Sequence, residues 1–272
     1  MALTQINCVV AAGSEPSSAT SPVSIQQRCV VIIPALNEET TIGNVIVELR
    51  SRGFRRVIVV DNGSSDQTAC RARLAGGEVV REPRRGYGRA CLTALQRLPL
   101  DAEWILFCDG DGSSDLRDVE QLVIAAKRAD FVLGDRTKNV TNRAAMTMAQ
   151  RFGNALATTL MRWGWDHRYA DLGPLRLIRR DALERMAMRD RGFGWTVDMQ
   201  VRALELGLRI REVPVRYRPR QGGKSKISGT IIGTLRAGTV ILTTIIALFA
   251  RKVVRRSIVR RAKFPLPAAQ FG

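Results

Sequence analysis

Two carboxylates two residues apart, Asp109 and Asp111, follow directly on the apolar run Trp104–Cys108. Side chains alternate faces along a strand, so residues i and i+2 project to the same side. The two anions therefore converge at the mouth of the strand, and Gly110 between them leaves room for a ligand to approach. Like charges so placed repel unless a cation offsets them. Hard oxygen donors suit Mg²⁺ or Mn²⁺, an ion that would bridge to a substrate diphosphate. The plain alternative is a solvated acidic turn, and the apolar run in front of it favours the metal.

Other residues carry chemistry of the same kind. Asp61 closes the apolar run Val57–Val60 and opens Asp-Asn-Gly-Ser-Ser-Asp-Gln-Thr. A carboxylate there can accept from a nucleobase or ribose, while Ser65 or Asp66 caps the helix that follows. Gly86-Tyr87-Gly88-Arg89-Ala90 follows Arg81, Arg84 and Arg85 and opens a helix. It is either a fragment of a phosphate cradle or simply a helix start. Arg220-Gln-Gly-Gly-Lys224-Ser-Lys226 is a basic loop whose paired glycines let it move. Its cations could close over a diphosphate or an acceptor phosphate, the alternative being a solvated loop. Asp198, on a helix near aromatic residues, has the chemistry of a general base or of a surface residue.

The elements that must position these groups are legible from the alternation. Short apolar runs at Cys29–Ile33, Val57–Val60, Glu78–Val80, Trp104–Cys108 and Phe131–Leu133 read as buried parallel strands. Between them, Leu116–Ala126 has apolar residues at helical spacing, with Asp115 and Asp118 at its start. Strand–helix–strand repeats of this kind build a mostly parallel α/β sheet flanked by helices, which binds ligands outside the carboxyl ends of its strands. Those ends are polar at Pro34–Glu38, Asp61–Asp66, Arg81–Gly88 and Asp109–Asp111. In the second half, a helix over Ala144–Met161, a strand at Leu175–Ile178, a helix over Thr196–Leu206 and a strand over Arg209–Tyr217 complete the same sheet and build an acceptor side.

Composition narrows the partners. With 45% apolar residues the chain is an ordinary globular one, but 43 basic against 25 acidic residues give a formal charge of +18. That excess calls for an anionic partner: nucleic acid, a phosphorylated small molecule or an acidic membrane surface. Aromatic content is 6% and no nucleic-acid-binding motif is evident, which weighs against a non-catalytic nucleic-acid-binding protein. A single histidine, His167, disfavours a multi-histidine zinc site or a histidine-based triad. Five unpaired-looking cysteines read as small buried residues in a reducing compartment. Residues 1–28 lack a secretory pattern and read as a disordered lead-in.

The tail is distinct. Ala237–Ala250 is uncharged, and Arg251, Lys252, Arg255, Arg256, Arg260, Arg261 and Lys263 follow it with no acidic residue. Fourteen helical residues reach ~21 Å, short of the ~30 Å hydrocarbon core, so the run reads as an interfacial segment. A span over residues 227–250 stays open if Arg236 snorkels. The expected location is cytoplasmic, peripheral at the membrane face, with the basic run drawn to anionic lipid.

Taken together, the motifs resemble family-2 glycosyltransferases with the GT-A fold, in particular the dolichyl- or polyprenyl-phosphate sugar synthase branch. The resemblance covers Val30–Ser228. It rests on Val31-Ile-Ile-Pro-Ala-Leu-Asn-Glu-Glu, Val-Val-Asp61-Asn-Gly-Ser-Ser-Asp-Gln-Thr, Asp109-Gly-Asp111, Gly134-Asp135-Arg136, and Glu212-Val-Pro with Gly223-Lys-Ser-Lys226. It implies a catalytic region at 29–228 with a tail at 229–272, and inverting transfer of a sugar from a UDP- or GDP-sugar. Pro34, Asn37 and Glu38 would line the nucleoside pocket and Asp61 would contact the base. Asp109 and Asp111 would hold the diphosphate and its divalent metal, Mg²⁺ or Mn²⁺. Arg136, Lys224 and Lys226 would lie near the donor phosphates or the acceptor, and Asp198 in the acceptor region. The implied acceptor is a polyprenyl phosphate; the alternative is a hydroxyl of a glycan, lipid or small molecule. A sugar-1-phosphate nucleotidyltransferase is disfavoured, because the first strand runs into Pro-Ala-Leu-Asn-Glu and not into a glycine-rich basic loop.

Overall fold

The computed structural model describes residues 24–139, 142, 145–220 and 231–263, and side chains within the last segment only over 238–254. Most of the lead-in, the start of the helix expected from Ala144, and the loop holding Lys224 and Lys226 lie outside the described residues.

The strands are β1 (Cys29–Ala35), β2 (Arg56–Asp61), β3 (Glu78–Arg81), β4 (Trp104–Phe107), β5 (Phe131–Asp135), β6 (Arg176–Arg179) and β7 (Ile210–Pro214). They form one seven-stranded sheet in the order β3-β2-β1-β4-β6-β5-β7. β1 pairs in parallel with β2 and β4, β2 with β3, and β5 with β7. β6 alone runs against its neighbours β4 and β5. The expected mostly parallel sheet is present. The reversed strand brings the segment before β6 to the edge where the other strands end.

Alternating strand residues feed two apolar layers. Val30, Ile32, Ile58, Val60, Ile105 and Phe107 face one, and Val31, Ile33, Val57, Val59, Trp104 and Leu106 the other. Fully burying such side chains contributes about 1.5–3 kcal/mol each, which is why both faces of the sheet are covered by helices. α1 (Ile42–Ser51), α2 (Thr68–Leu74) and α4 (Val119–Ala126) cover the second layer. α3 (Tyr87–Leu95), α5 (Met148–Trp165), α6 (Arg180–Met186), α7 (Trp195–Glu205) and α8 (Ile231–Lys263) cover the first.

Helix starts differ from the sequence expectation where side chains compete for backbone donors. The helix read over Leu116–Ala126 begins as a 3-10 turn, Leu116–Asp118, because the Asp115 carboxylate accepts from Arg117 N and closes a tighter turn. α5 starts after Thr147, whose hydroxyl caps Gln150 N while the Gln150 side chain returns to Thr147 N. Cys29, Cys91 and Cys108 are buried free thiols, as expected, whereas Cys70 is exposed. Among the described residues no helix is long and apolar enough to cross a membrane.

Candidate active site

The chain goes outward from β1 to β2 and β3, then returns to the other side of β1 with β4. At that switch the loops after β1 and β4 diverge and leave a crevice. Glu38 follows β1, and Asp109 and Asp111 follow β4. Gly110 between them is buried, and a Cβ there would lie 3.1 Å from Ile42 Cδ1 and 3.2 Å from Ile33 Cγ2. Its carbonyl accepts from Thr41 Oγ1 at 2.7 Å. Gly110 thus serves close packing against Ile42 and Ile33.

Asp111 is buried and its Oδ1 accepts from Ser113 N at 2.9 Å and Ser113 Oγ at 2.6 Å. Its Oδ2 lies 3.0 Å from Arg220, whose other terminal nitrogen is 3.3 Å from Glu38 Oε1. Arg220 therefore joins the ends of β1 and β4 to the arm that follows β7. Enclosure by protein and the neighbouring Asp111 push the Asp109 carboxyl up to about 7, against the pull of Arg136 and Arg220. A carboxyl held that high wants a cation.

Two adjacent carboxylates converge beside one guanidinium, and among the described residues no third acidic, histidine or cysteine ligand completes a protein cage. Two carboxylates with remaining positions for phosphate oxygens and water is the arrangement Mg²⁺ and its analogues accept. The residues fit the ion.

The loops after β1 and β2 clasp each other. Asn37, at a φ of 51°, donates its N–H to Ser64 Oγ at 3.0 Å and accepts from Ser65 N at 2.8 Å. Glu38 N donates to Thr68 Oγ1 at 2.7 Å. Pro34 is partly exposed at the end of β1, opposite Val60, and the nearly buried Asp61 accepts from Ser64 N at 2.9 Å. Asp66 Oδ1 accepts from Thr68 N at 3.0 Å, an Asx turn that leads into α2 while Gln67 holds the cap position. Ser65 does not cap: its hydroxyl is turned to Asn37 Oδ1 and takes no first-turn N–H of α2.

Gly86-Tyr87-Gly88 is not a phosphate cradle in this fold. Gly88 N donates to Gly192 O and Arg89 N to Arg191 O, while Gly86 N donates to Asn62 Oδ1. A Cβ on Gly86 would meet Arg191 O at 2.3 Å, and one on Gly88 would meet Asp190 O at 2.2 Å. The glycines make room for the backbone packed opposite, Gly88 spending its donor on that backbone and Gly86 on the Asn62 side chain, and they open α3, the helix start that was the other reading.

Arg136 forms a two-pronged pair with the buried Asp171, Nε to Oδ2 at 2.7 Å and a terminal nitrogen to Oδ1 at 2.9 Å, and stacks over Tyr217 with its guanidinium carbon 4.9 Å from the ring centre. Its charge still reaches Asp109. Asp198, on the first turn of α7, is buried and accepts from Arg202 Nε at 2.7 Å. The structure thus brings Glu38, Asp109, Asp111 and Arg136 together, pins Asn37 and Asp61 beside them, and leaves Asp198 in an ion pair of its own.

Two networks were not visible in the sequence, which placed Asp115 and Asp118 only at a helix start. Asp115 is buried among Arg117, Arg216 and Arg218, and Asp118 pairs with Arg216 at 2.6 Å. Backbone bonds Asp115 N to Arg216 O and Arg218 N to Ser113 O zip the loop bearing Asp111 to the arm bearing Arg220. Arg176, buried on β6, donates to the carbonyls of Gly173 and Thr196 and so ties the loop of Asp171 to the start of α7. An arginine in the middle of the apolar run Leu175–Ile178 was the one available signal.

Residues 30–187, which build most of this crevice, match the family description glycosyl transferase family 2. An uncharacterized glycosyltransferase of Mycobacterium tuberculosis is 36% identical over 212 residues, covering 76% of this chain and 93% of that protein. The chain belongs to glycosyl transferase family 2. An undecaprenyl-phosphate mannosyltransferase of Micrococcus luteus is 32% identical over 225 residues, 76% of this chain and 90% of its own. Glucosyl-3-phosphoglycerate synthase of Mycobacterium tuberculosis, solved with Mn²⁺, UDP-glucose and phosphoglyceric acid, superposes with a TM-score of 0.66 at 21% identity, over 82% of this chain and 79% of that one. That likeness fixes the GT-A type of fold. The family membership makes this chain a glycosyltransferase that uses a nucleotide-sugar donor.

Proposed function

We propose that the protein is an inverting, metal-dependent glycosyltransferase that moves a sugar from a UDP- or GDP-sugar to a polyprenyl phosphate. The observation that carries the reading is the double bridge of Arg220 to Asp111 and Glu38 beside Asp109, a cation-seeking cluster at the strand-order switch. Asp109 and Asp111 hold the divalent ion, whose charge would offset that of the departing diphosphate. Pro34, Asn37, Glu38 and Asp61 form the wall against the nucleoside. Arg136 and Arg220, with Lys224 and Lys226, supply positive charge toward the phosphates.

A phosphate acceptor arrives ionised and needs no base to take its proton. The engagement of Asp198 with Arg202 agrees with that, and so does the likeness to an undecaprenyl-phosphate mannosyltransferase. The catalytic unit is residues 29–228, and the tail at 229–272 keeps it at the cytoplasmic face of a membrane.

The test is incubation with UDP- or GDP-linked sugars, Mn²⁺ and undecaprenyl phosphate, following label into the organic phase. Transfer from one donor, lost in Asp109→Asn/Asp111→Asn, supports the reading. Transfer only to water-soluble alcohols overturns the acceptor.

A further inference from the structure

α5 presents its exposed residues on one face. Met148, Arg151, Phe152, Ala155, Thr159, Arg162 and Trp163 are exposed, at spacings of three, four and seven, while Ala157 and Met161 face the core. Met148 is 74% exposed, Phe152 70% and Trp163 78%. Three large apolar side chains in the open, on a helix that could have carried polar ones, mark a surface awaiting a partner.

α8 continues that surface. Its Ile245 and Leu248 are buried against the body. On the outer side Ile246, Phe249, Val253 and Val254 stand exposed. The two helices meet at the Trp163 end of α5. The Trp165 and Phe249 rings pack edge-on with centres 6.1 Å apart, and Lys252 lies over Trp165 while donating to Gly164 O.

Charge says what covers this surface. Neither the 18 residues of α5 nor the 33 of α8 include a single carboxylate. Beside the α5 stripe a cavity of about 730 Å³ gathers Lys138, Arg151, Arg162 and Arg168. Exposed Asp166 and Glu205, which accepts from Trp165 Nε1, are acidic groups at the Trp165 end, and cations outnumber them along the rest of the stripe. Apolar residues with tryptophan at the rim and such an excess of cations are the pattern of helices that lie in the plane of an anionic bilayer. A protein partner would call for a more even balance of charge than two helices without a carboxylate provide. A span is not required, since no described helix is long and apolar enough to cross.

We propose that α5 and α8 together form a membrane-docking face, seating Phe152, Trp163, Ile246 and Phe249 among the acyl chains and the flanking arginines against anionic phospholipid phosphates. This deepens the peripheral-membrane reading above and rests on it. The tail alone is not the anchor: a helix of the catalytic layer contributes half of the apolar contact. The sheet edge at the end of β5, where Lys138 follows Asp135, is thereby held close to the lipid surface.

The test is co-sedimentation of the full chain with vesicles of phosphatidylcholine alone or mixed with phosphatidylglycerol. Wild type, Phe152→Glu/Trp163→Glu and Ile246→Glu/Val254→Glu are compared, with Phe152→Gln/Trp163→Gln as an uncharged pair. Circular dichroism melts and Mn²⁺-dependent stabilisation by UDP or GDP monitor fold and donor binding. Wild type sediments with the mixed vesicles, and both glutamate variants lose roughly tenfold or more in partitioning while donor binding is unchanged. The glutamine pair shifts the same way. Wild-type binding with the α5 variants unaffected overturns the two-helix face and leaves the tail as anchor. No wild-type binding overturns the membrane reading itself. Conversion of a wild-type dimer to monomer by the variants, without effect on vesicles, overturns the lipid in favour of a second copy. None of these outcomes touches the donor site, which the nucleotide measurement reads separately.

Discussion

A metal ion arriving at Asp111 would meet not an unpartnered carboxylate but one with Arg220 3.0 Å away. Ion and guanidinium compete for one anion, so Arg220→Gln should bind Mn²⁺ several-fold more tightly in the absence of nucleotide. With nucleotide present the same change removes a cation from the diphosphate, and affinity should fall. Calorimetric titrations of both ligands give the two signs, and a fall in both would show that Arg220 does not compete with the ion. Asp109 adds a pH dependence. Its carboxyl, raised to about 7, is protonated in acid and must shed that proton to ligate. Metal affinity should therefore drop roughly tenfold for each unit below about 7 and level off above it. The DGD carboxylates were legible because two anions after an apolar run have few structural uses. The partnership of Glu38 with Arg220 was not, since it joins distant parts of the chain. The glycines at 86 and 88 were open between a phosphate cradle and the helix start that the structure shows, for a related reason: whether a missing side chain serves a ligand or a backbone depends on what is packed opposite. Asn62 shows the same limit. It donates to Glu82 O and Arg84 O and accepts from Gly86 N, all from one buried amide. Asn62→Asp would set a carboxylate against two carbonyls, a loss of about 2–3 kcal/mol visible in urea melts.

Among the elements, the strands were readable wherever both faces are buried, because such runs are short and continuously apolar. β6 was found as a strand, but its reversed direction carries no periodic mark. That reversal matters, because it delivers the loop with Asp171 to Arg136 at the site edge. The 3-10 start of α4 was hidden behind a correct helical spacing, and the cause is Asp115. Its carboxyl is held far below the usual range, first by its bonds to Arg117 and then by Arg218. A lowered value means that the zipper is intact above the ordinary carboxylate pKa of about 4 and is lost only as pH falls through the folded value. Since the three arginines are about half exposed, they can regain water when the carboxylate is removed. Asp115→Ala should then cost about 1–3 kcal/mol, less than a deeply buried pair. The diagnostic effect lies elsewhere. With the loop of Asp111 unzipped from the arm of Arg220, KM for the nucleotide sugar should rise while kcat for bound donor changes little. Arg117→Gln, which leaves Arg216 and Arg218 on the carboxylate, should move stability and KM far less. Equal kinetic effects from the two variants would mean that the network is ballast for the fold and does not position the site.

For the whole molecule, the excess of 43 basic over 25 acidic residues was plain from composition, but its meaning depended on where the carboxylates went. Glu38, Asp111, Asp115, Asp118 and Asp171 are buried in ion pairs with arginines at or near the site edge, and Asp198 is buried in a pair of its own with Arg202. Those pairs draw acidic charge inward, while the sequences of α5 and α8 carry cations alone. Net charge and apolar exposure thus fall on the same helices, and the two attractions respond differently to salt. Screening shortens from about 10 Å at 0.1 M salt to about 3 Å at 1 M, which weakens contacts between exposed charges and leaves apolar insertion in place. Vesicle association should accordingly fall steeply with the first additions of salt and then settle at a residual plateau. Phe152→Glu/Trp163→Glu should abolish the plateau more than it alters the initial slope. Neutralising Arg151 and Arg162 to glutamine should do the reverse, flattening the slope and sparing the plateau. A wild-type curve that falls to nothing in 1 M salt would mean that the exposed Phe152 and Trp163 never enter the acyl region, and that the positive charge alone brings the enzyme to the surface.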